Sequence, residues 1–184
     1  MKKTLIIIGI FAVIIIVGLF SYYNKFVTAS ENVDGQWAQV ESQYQRRFDL
    51  IPNLVESVKG VMGQEKEVFG MIADARTKYA GASTVNEKAG AASEVESALS
   101  RLLVIMENYP QLKSADNVTT LMAQLEGTEN RISVERGRFN DSVRGYNVMV
   151  KRFPANVIAG MFGYGERNYF EAASGSEVAP EVKF

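Results

Sequence analysis

A chain of 184 residues with 20 lysines and arginines against 21 aspartates and glutamates, net charge −1, holds one domain of ordinary size beside any membrane segment. It has no cysteine and no histidine, which excludes disulfides, thiolate nucleophiles, imidazole bases and most zinc sites together. The near-balanced charge leaves no electrostatic footprint for nucleic acid.

Residues 4–23 read TLIIIGIFAVIIIVGLFSYY, without a charge. About 20 apolar residues at roughly 1.5 Å each cross a ~30 Å hydrocarbon core, and Tyr22 and Tyr23 sit where an interfacial aromatic belt forms. The competing account is a cleaved signal peptide, with Val27–Thr28–Ala29 as the nearest small-residue site. The run is long for a signal sequence and that site follows Lys25 and Phe26, so a retained anchor is the expectation. Lys2 and Lys3 precede the run and only Lys25 follows closely, which predicts the N-terminus inside and the domain outside.

From the anchor, a helix can continue over residues 21–48, which contain no proline and a single glycine, Gly35. Within residues 36–67, Trp37, Val40, Tyr44, Phe48, Ile51, Val55, Val58 and Met62 recur in steps of three and four, one stripe on a helix. The stripe keeps phase across Pro52. Continuity favours a kink there and the proline ring favours a break; the break, with Asp49 as cap of a second helix over residues 52–79, is the expectation.

Residues 80–85 compose a loop. Residues 86–108 form a helix with Val95, Leu99, Leu102, Met106 and Tyr109 in phase, and Tyr109–Pro110 ends it before a turn over residues 111–117. The last long helix, residues 118–152, has the cleanest stripe: Leu121, Leu125, Ile132, Phe139, Val143, Tyr146 and Val150. Gly127 inside it suggests close approach of a neighbouring helix. Residues 156–161 can form a short helix before the Gly163–Gly165 break.

No segment alternates with period two. The fold class is therefore all-α: one N-terminal transmembrane helix, then an antiparallel up-and-down bundle of long helices, four of them, or three with a kink at Pro52. The expected divisions are 1–28 for the cytoplasmic stub and anchor, 29–153 for the bundle, and 154–184 for an aromatic-rich tail bearing Phe162, Tyr164, Tyr169, Phe170 and Phe184. The tail is expected to pack on its own bundle, the alternatives being a neighbouring subunit or the membrane interface.

Several blocks recur in a familiar order: QVESQYQRRFDLIPNLVESVKG, then Glu65, Ala75–Arg76, Leu99 with Leu102 and Leu103, YPQLK, LEGTENRI, Phe139–Asn140, Tyr146–Asn147, and a closing APEVKF. Together they resemble the LemA family of membrane-anchored helical proteins of bacteria. Two places depart from its pattern: Gly163–Tyr164 stands where the family more often has Gly-Phe, and Tyr169–Phe170 where it more often has two phenylalanines. The resemblance implies a compact helical bundle and membrane attachment, hence a bacterial inner (cytoplasmic) membrane protein, single-pass, with an extracytoplasmic (periplasmic) domain. It supplies no catalytic residue.

Glu126, Glu129 and Glu135 with Glu65 and Glu94 raise the question of a carboxylate-bridged metal site, but the bundle version of that site needs histidines. Ion pairs on helix faces account for these residues more simply. With no phosphate-loop pattern either, neither an enzyme nor a cofactor or metal is expected. The polar cluster Gln43, Gln45, Arg46, Arg47 and Asp49 could meet Glu126, Asn130 and Arg131 across the bundle, as a register-setting network or as a partner-binding patch. Just outside the bilayer, Asn24, Glu31 and Trp37 mark a candidate oligomer seam, the alternative being that Trp37 packs within its own protomer. The expected partners are the lipid bilayer and further copies of the chain, with another membrane protein as the alternative. The functional expectation is a non-enzymatic, self-associating scaffold of the cell envelope, or an accessory subunit of a membrane protease or transporter.

Overall fold

The computed structural model describes residues 2–63, 65–113 and 115–170, all but the side chain of residue 113. The elements are α1 (Lys2–Lys59), α2 (Lys66–Gly81), α3 (Val85–Met106), α4 (Pro110–Lys113), α5 (Asp116–Lys151) and α6 (Ala155–Phe162). There is no strand among the described residues, so the fold is all-α. The chain forms two compact units: residues 1–38 with 137–169, called here the anchor unit, and residues 39–136 with Phe170, the four-helix unit. Phe184 and the APEVKF end lie outside the described residues.

In the four-helix unit the helical stripes become the core. Val40, Tyr44, Phe48, Ile51, Leu54, Val58 and Met62 are buried, with Val68, Ile72, Ala75 and Tyr79 from α2 and Val95, Leu99, Leu102 and Met106 from α3. From α5 come Val118, Leu125 and Ile132, a rung every seven residues, as in packed helix bundles. Cross-helix pairs fix the directions. Ser57 meets Asn117 and Arg47 meets Glu129, so α1 and α5 are antiparallel. Lys78–Glu94 at 2.6 Å and Arg101–Glu67 at 3.2 Å make α2 and α3 antiparallel. Lys88–Glu41 and Arg47–Glu96 make α1 and α3 parallel. This is an up-down-up-down bundle.

The expected break at Asp49–Pro52 does not occur: α1 passes through Pro52 without interruption. Proline removes one backbone donor, but its ring here faces solvent, and Ile51 and Leu54 beside it are fully buried, so stripe burial outweighs the lost bond. Leu54, not Val55, supplies the rung after Ile51. Asp49 is consequently not a cap; mid-helix and exposed, it accepts a 2.8 Å hydrogen bond from Gln45. The chain turns instead after Lys59, where Gly60 and Gly63 weaken the helix and Met62 N–H donates back to the Val58 carbonyl at 2.9 Å. Four long helices result, with the break about two turns beyond its expected place.

α3 starts with a capping box. Thr84 accepts from Glu87 N–H and the Glu87 carboxylate accepts from Thr84 N–H; hydrogen bonds from Ser83 N–H and then Thr84 N–H hold the Glu87 carboxyl below its ordinary pKa. Residues expected as a plain turn wind one turn of helix, α4. Gly127 does not serve close packing: a Cβ there would meet nothing within 4 Å.

In the anchor unit, α1 contains a stretch long and apolar enough to cross a membrane, with none of its most apolar 18-residue window buried. Leu5, Ile6, Ile7, Ile8, Ile10 and Phe11 all face outward, a surface that water does not tolerate and lipid does. Among the described residues this is the one helix long and apolar enough to cross a membrane, and it attaches the chain to one. Past it, Phe26 and Val33 are buried together with Phe139, Val143, Tyr146 and Val150 of α5 and with Ala155, Ile158 and Ala159 of α6. Gly163 closes α6 at φ 76°, a left-handed conformation that favours glycine, and the following Tyr164 N–H donates to the Ala159 carbonyl at 2.9 Å.

Candidate functional site

The largest concentration of buried charge lies in the four-helix unit. Tyr44 is a rung of the apolar stripe of α1 and Arg47 lies one helical turn on, beside that stripe; Glu129 and Arg136, two turns apart on α5, lie on either side of Ile132. Packing stripe against stripe therefore brings these four side chains together, and Glu96 of α3 joins them. Arg47 donates to Glu129 and lies 3.8 Å from Glu96. Arg136 donates to Glu96 and, from Nε at 2.9 Å, to the Tyr44 hydroxyl. Two guanidiniums thus meet two carboxylates across three helices.

Aromatic rings wall the network. Arg136 sits 5.4 Å from the Tyr44 ring centroid and 4.6 Å from that of Phe170, within cation–π range. Tyr44 also packs on Phe48 and Tyr79, at 5.9 and 5.4 Å. Burial pushes the Tyr44 hydroxyl up to about 12, against the pull of Arg136. Burial also raises Tyr79, with the Glu41 charge adding to it. For Arg136 burial works against the charge, but Tyr44 and Glu96 outweigh it and hold its pKa above the ordinary value. Gln43 Oε1, Arg47 Nε and Tyr79 Oη are buried with no hydrogen-bond partner among the described residues.

Beside the network runs a groove of about 520 Å³, with Leu54, Leu99, Leu103 and Met122 among its walls and Arg47 and Glu129 at its polar side. Among the described residues no three His, Cys, Asp or Glu side chains group to hold a metal ion.

The structure places the expected site residues unevenly. Arg47 is buried in the network, and Gln43 is half-buried beside it. Gln45, Arg46 and Asp49 are exposed, as are Glu126, Asn130 and Arg131. The two segments do meet, but through Arg47 and Glu129, while Tyr44, Glu96 and Arg136 complete the set. Residues 126, 130 and 131 lie on the outer side of α5, which turns residues 125, 128, 129 and 132 inward.

The anchor unit holds the expected seam. Asn24 and Glu31 are exposed, whereas Trp37 is half-buried with its ring 5.3 Å from Phe139. Asn24 lines a hollow of about 670 Å³ with Ser21, Lys25, Thr28, Asn32 and Met149. The segment after α6 packs on its own unit. Tyr164 stacks on Phe26 at 5.2 Å, and Phe162 meets Tyr23 at 5.0 Å. Arg167 grips Asp34 through two bonds of 2.8 and 3.1 Å and donates to Ser30 at 2.8 Å. Asn147 pairs with the Arg167 backbone, donating to its carbonyl and accepting from its N–H, both at 2.8 Å.

The sequence matches the LemA family over residues 36–184. It is also similar to the magnetosome proteins MamQ 2 and MamQ 1 of Paramagnetospirillum magneticum. Each is 28% identical over 194 residues, covering 91% of this chain and 71% of the relative. Magnetosome protein MamQ of Magnetospirillum gryphiswaldense is 29% identical over 178 residues, covering 83% of this chain and 65% of that one. With the family match extending over most of its length, and with an all-helical fold behind a single apolar anchor, the chain belongs to the LemA family.

Proposed function

We propose that this chain is a non-enzymatic, membrane-anchored scaffold of the bacterial cell envelope that self-associates. One observation carries the reading: the ionisable groups of the polar network are engaged with one another. Arg47, Arg136, Glu96, Glu129 and Tyr44 form a closed set, the arrangement of a register lock, in which a proton acceptor near neutral pH or an activated nucleophile has no place. What remains to do work is surface. On the anchor unit that surface is the exposed Asn24 and Glu31 with the hollow beside Asn24, and self-association runs through it. The family resemblance supports an inner-membrane location, and the charge pattern supports Lys2 and Lys3 on the cytoplasmic side with the remainder periplasmic.

The cysteine-free chain allows one experiment to address both points. Single cysteines at Asn24 or Glu31 should react with a membrane-impermeant maleimide in intact spheroplasts and crosslink to their own copies through a short bis-maleimide. Absence of self-crosslinking at either position ends the proposal for this seam; labelling only after lysis reverses the orientation. The groove lined by Leu54, Leu99, Leu103 and Met122 supports a second reading, an accessory subunit that holds a segment of another membrane protein such as a protease or transporter. Native mass analysis of the detergent-extracted protein separates the two, because the first gives homomers and the second a single copy bound to something else.

A further inference from the structure

The outer face of α6 is apolar and, within the anchor unit, uncovered. Ala155, Ile158 and Ala159 turn inward, while Val157 and Met161, one helical turn apart, are 56% and 68% exposed. Phe153, one turn before Val157 in sequence, is 78% exposed, and Phe162 is 47% exposed. Four large apolar side chains on ten residues of surface are more than scattered exposure accounts for.

The C-terminal end of this element lies at the edge of the membrane-spanning run, and so does the last turn of α5 that leads into it. α6 follows the last turn of α5, and Met149 of that turn lines the same hollow as Ser21, near the end of the apolar stretch, and Asn24 and Lys25, which immediately follow it. At its other end Phe162 places its ring 5.0 Å from Tyr23, the last aromatic of that stretch. A helix of eight residues is about 12 Å long. With its last residue against Tyr23 and the preceding turn of α5 beside residues 21–25, it runs beside the boundary at which α1 leaves the bilayer. The exposed cations Lys25 and Arg152 stand at the same end of the unit, as basic residues do around an interfacial helix.

We infer that α6 is a second membrane contact: it lies in the interfacial layer with Phe153, Val157, Met161 and Phe162 dipped into the headgroup–acyl boundary, continuing the lipid-facing surface of α1. This rests on the membrane reading of α1. Anchor and α6 then hold the unit at two points, which restricts its rotation and tilt as one helix alone does not.

The test uses the full-length chain in phosphatidylcholine–phosphatidylglycerol vesicles, with a polarity-sensitive nitrobenzoxadiazole probe on one cysteine at a time. Met161→Cys and Val157→Cys report on α6, Val13→Cys on the span, and Val134→Cys, exposed in the four-helix unit, on water. The probe at Met161 should be blue-shifted, lose most of its emission to a shallow spin-labelled lipid and lose little to aqueous iodide, with the reverse at Val134. Iodide quenching at Met161 equal to that at Val134 overturns the inference, because the face is then in water. A blue shift without lipid quenching also overturns it, because protein then covers the face. Failure of deep lipid quenching at Val13 removes the membrane reading and the inference with it, whereas quenching at Val13 but not at Met161 or Val157 removes the inference alone.

Discussion

The anchor unit and the four-helix unit both use arginine to tie α1 to its neighbours, in different ways. In the four-helix unit Arg47 and Arg136 are buried or nearly so, and each reaches carboxylates on other helices. In the anchor unit Arg167 comes from an extended segment, keeps 39% of its side chain in solvent, and binds the half-exposed Asp34. A charge shared among three helices penalises any slip in register, because a slip strands it in low dielectric. A charge at the rim only selects where a flexible segment rests. One unit has its alignment specified from within, and the other has its tail positioned from outside.

The sharpest tests of this contrast begin in the apolar layer that both units share. Phe139→Ala should cost about 3–5 kcal/mol and Leu125→Ala about 2–5 kcal/mol in thermal melts of the detergent-solubilised protein, since both are buried. An unchanged melt for Phe139→Ala would mean that the anchor unit owes its order to lipid and not to packing. Next comes the network. Arg47→Ala should destabilise by about 3 kcal/mol, as expected for an uncompensated carboxylate pair, whereas Arg47→Met, which keeps the volume, should cost less. Equal losses would show that packing, and not charge, matters at residue 47.

An alkaline pH scan reads raised tyrosines in both units, because burial also raises Tyr164 of the anchor unit, and substitution of Tyr44 isolates the part that belongs to the network. The folded state holds the Tyr44 proton more tightly than the unfolded chain does, so this contribution is fully present below about pH 10 and disappears as pH rises toward 12. The loss should be about 2–3 kcal/mol at 1.36 kcal/mol per pKa unit. The raised Tyr79 acts in the same direction. Tyr44→Phe should flatten the alkaline decline, and an unaltered decline would place its origin elsewhere. The smallest effect belongs to the clasp. Arg167→Ala should cost about 1 kcal/mol or less, and that difference should shrink in high salt; a larger, salt-insensitive loss would make Arg167 a buried anchor like Arg47.

Periodicity made most of this fold readable. The stripe of α5 appears in the structure almost residue for residue, because a seven-residue spacing of large apolar side chains has few alternatives to helix packing. The break near Pro52 was not readable, since a proline's cost depends on whether its ring meets protein or water, and that is settled by the tertiary fold. The Thr84–Glu87 capping box was readable: Thr-x-x-Glu stands at the end of the expected loop. The network lay between these cases. Arg47 stands out in the sequence, but its partners depend on which helix faces are opposed, and Tyr44 reads as one more apolar rung. The useful signal was long polar residues beside the apolar rungs of two helices, Arg47 next to the Tyr44 rung and Glu129 and Arg136 either side of Ile132, rather than the densest polar run.

The pairing of Asn147 with residue 167 has a consequence for variation. A side-chain amide carries the same donor and acceptor as a peptide group, and Asn147 uses both on the main chain of its partner. This pairing recognises what every residue at 167 except proline offers, so it persists whatever side chain stands there, whereas the clasp on Asp34 and Ser30 needs the arginine. For the pairing, the information resides at 147. Aspartate there would present a second acceptor to a carbonyl and lose half of the pairing, although in size and shape it is the nearest substitute.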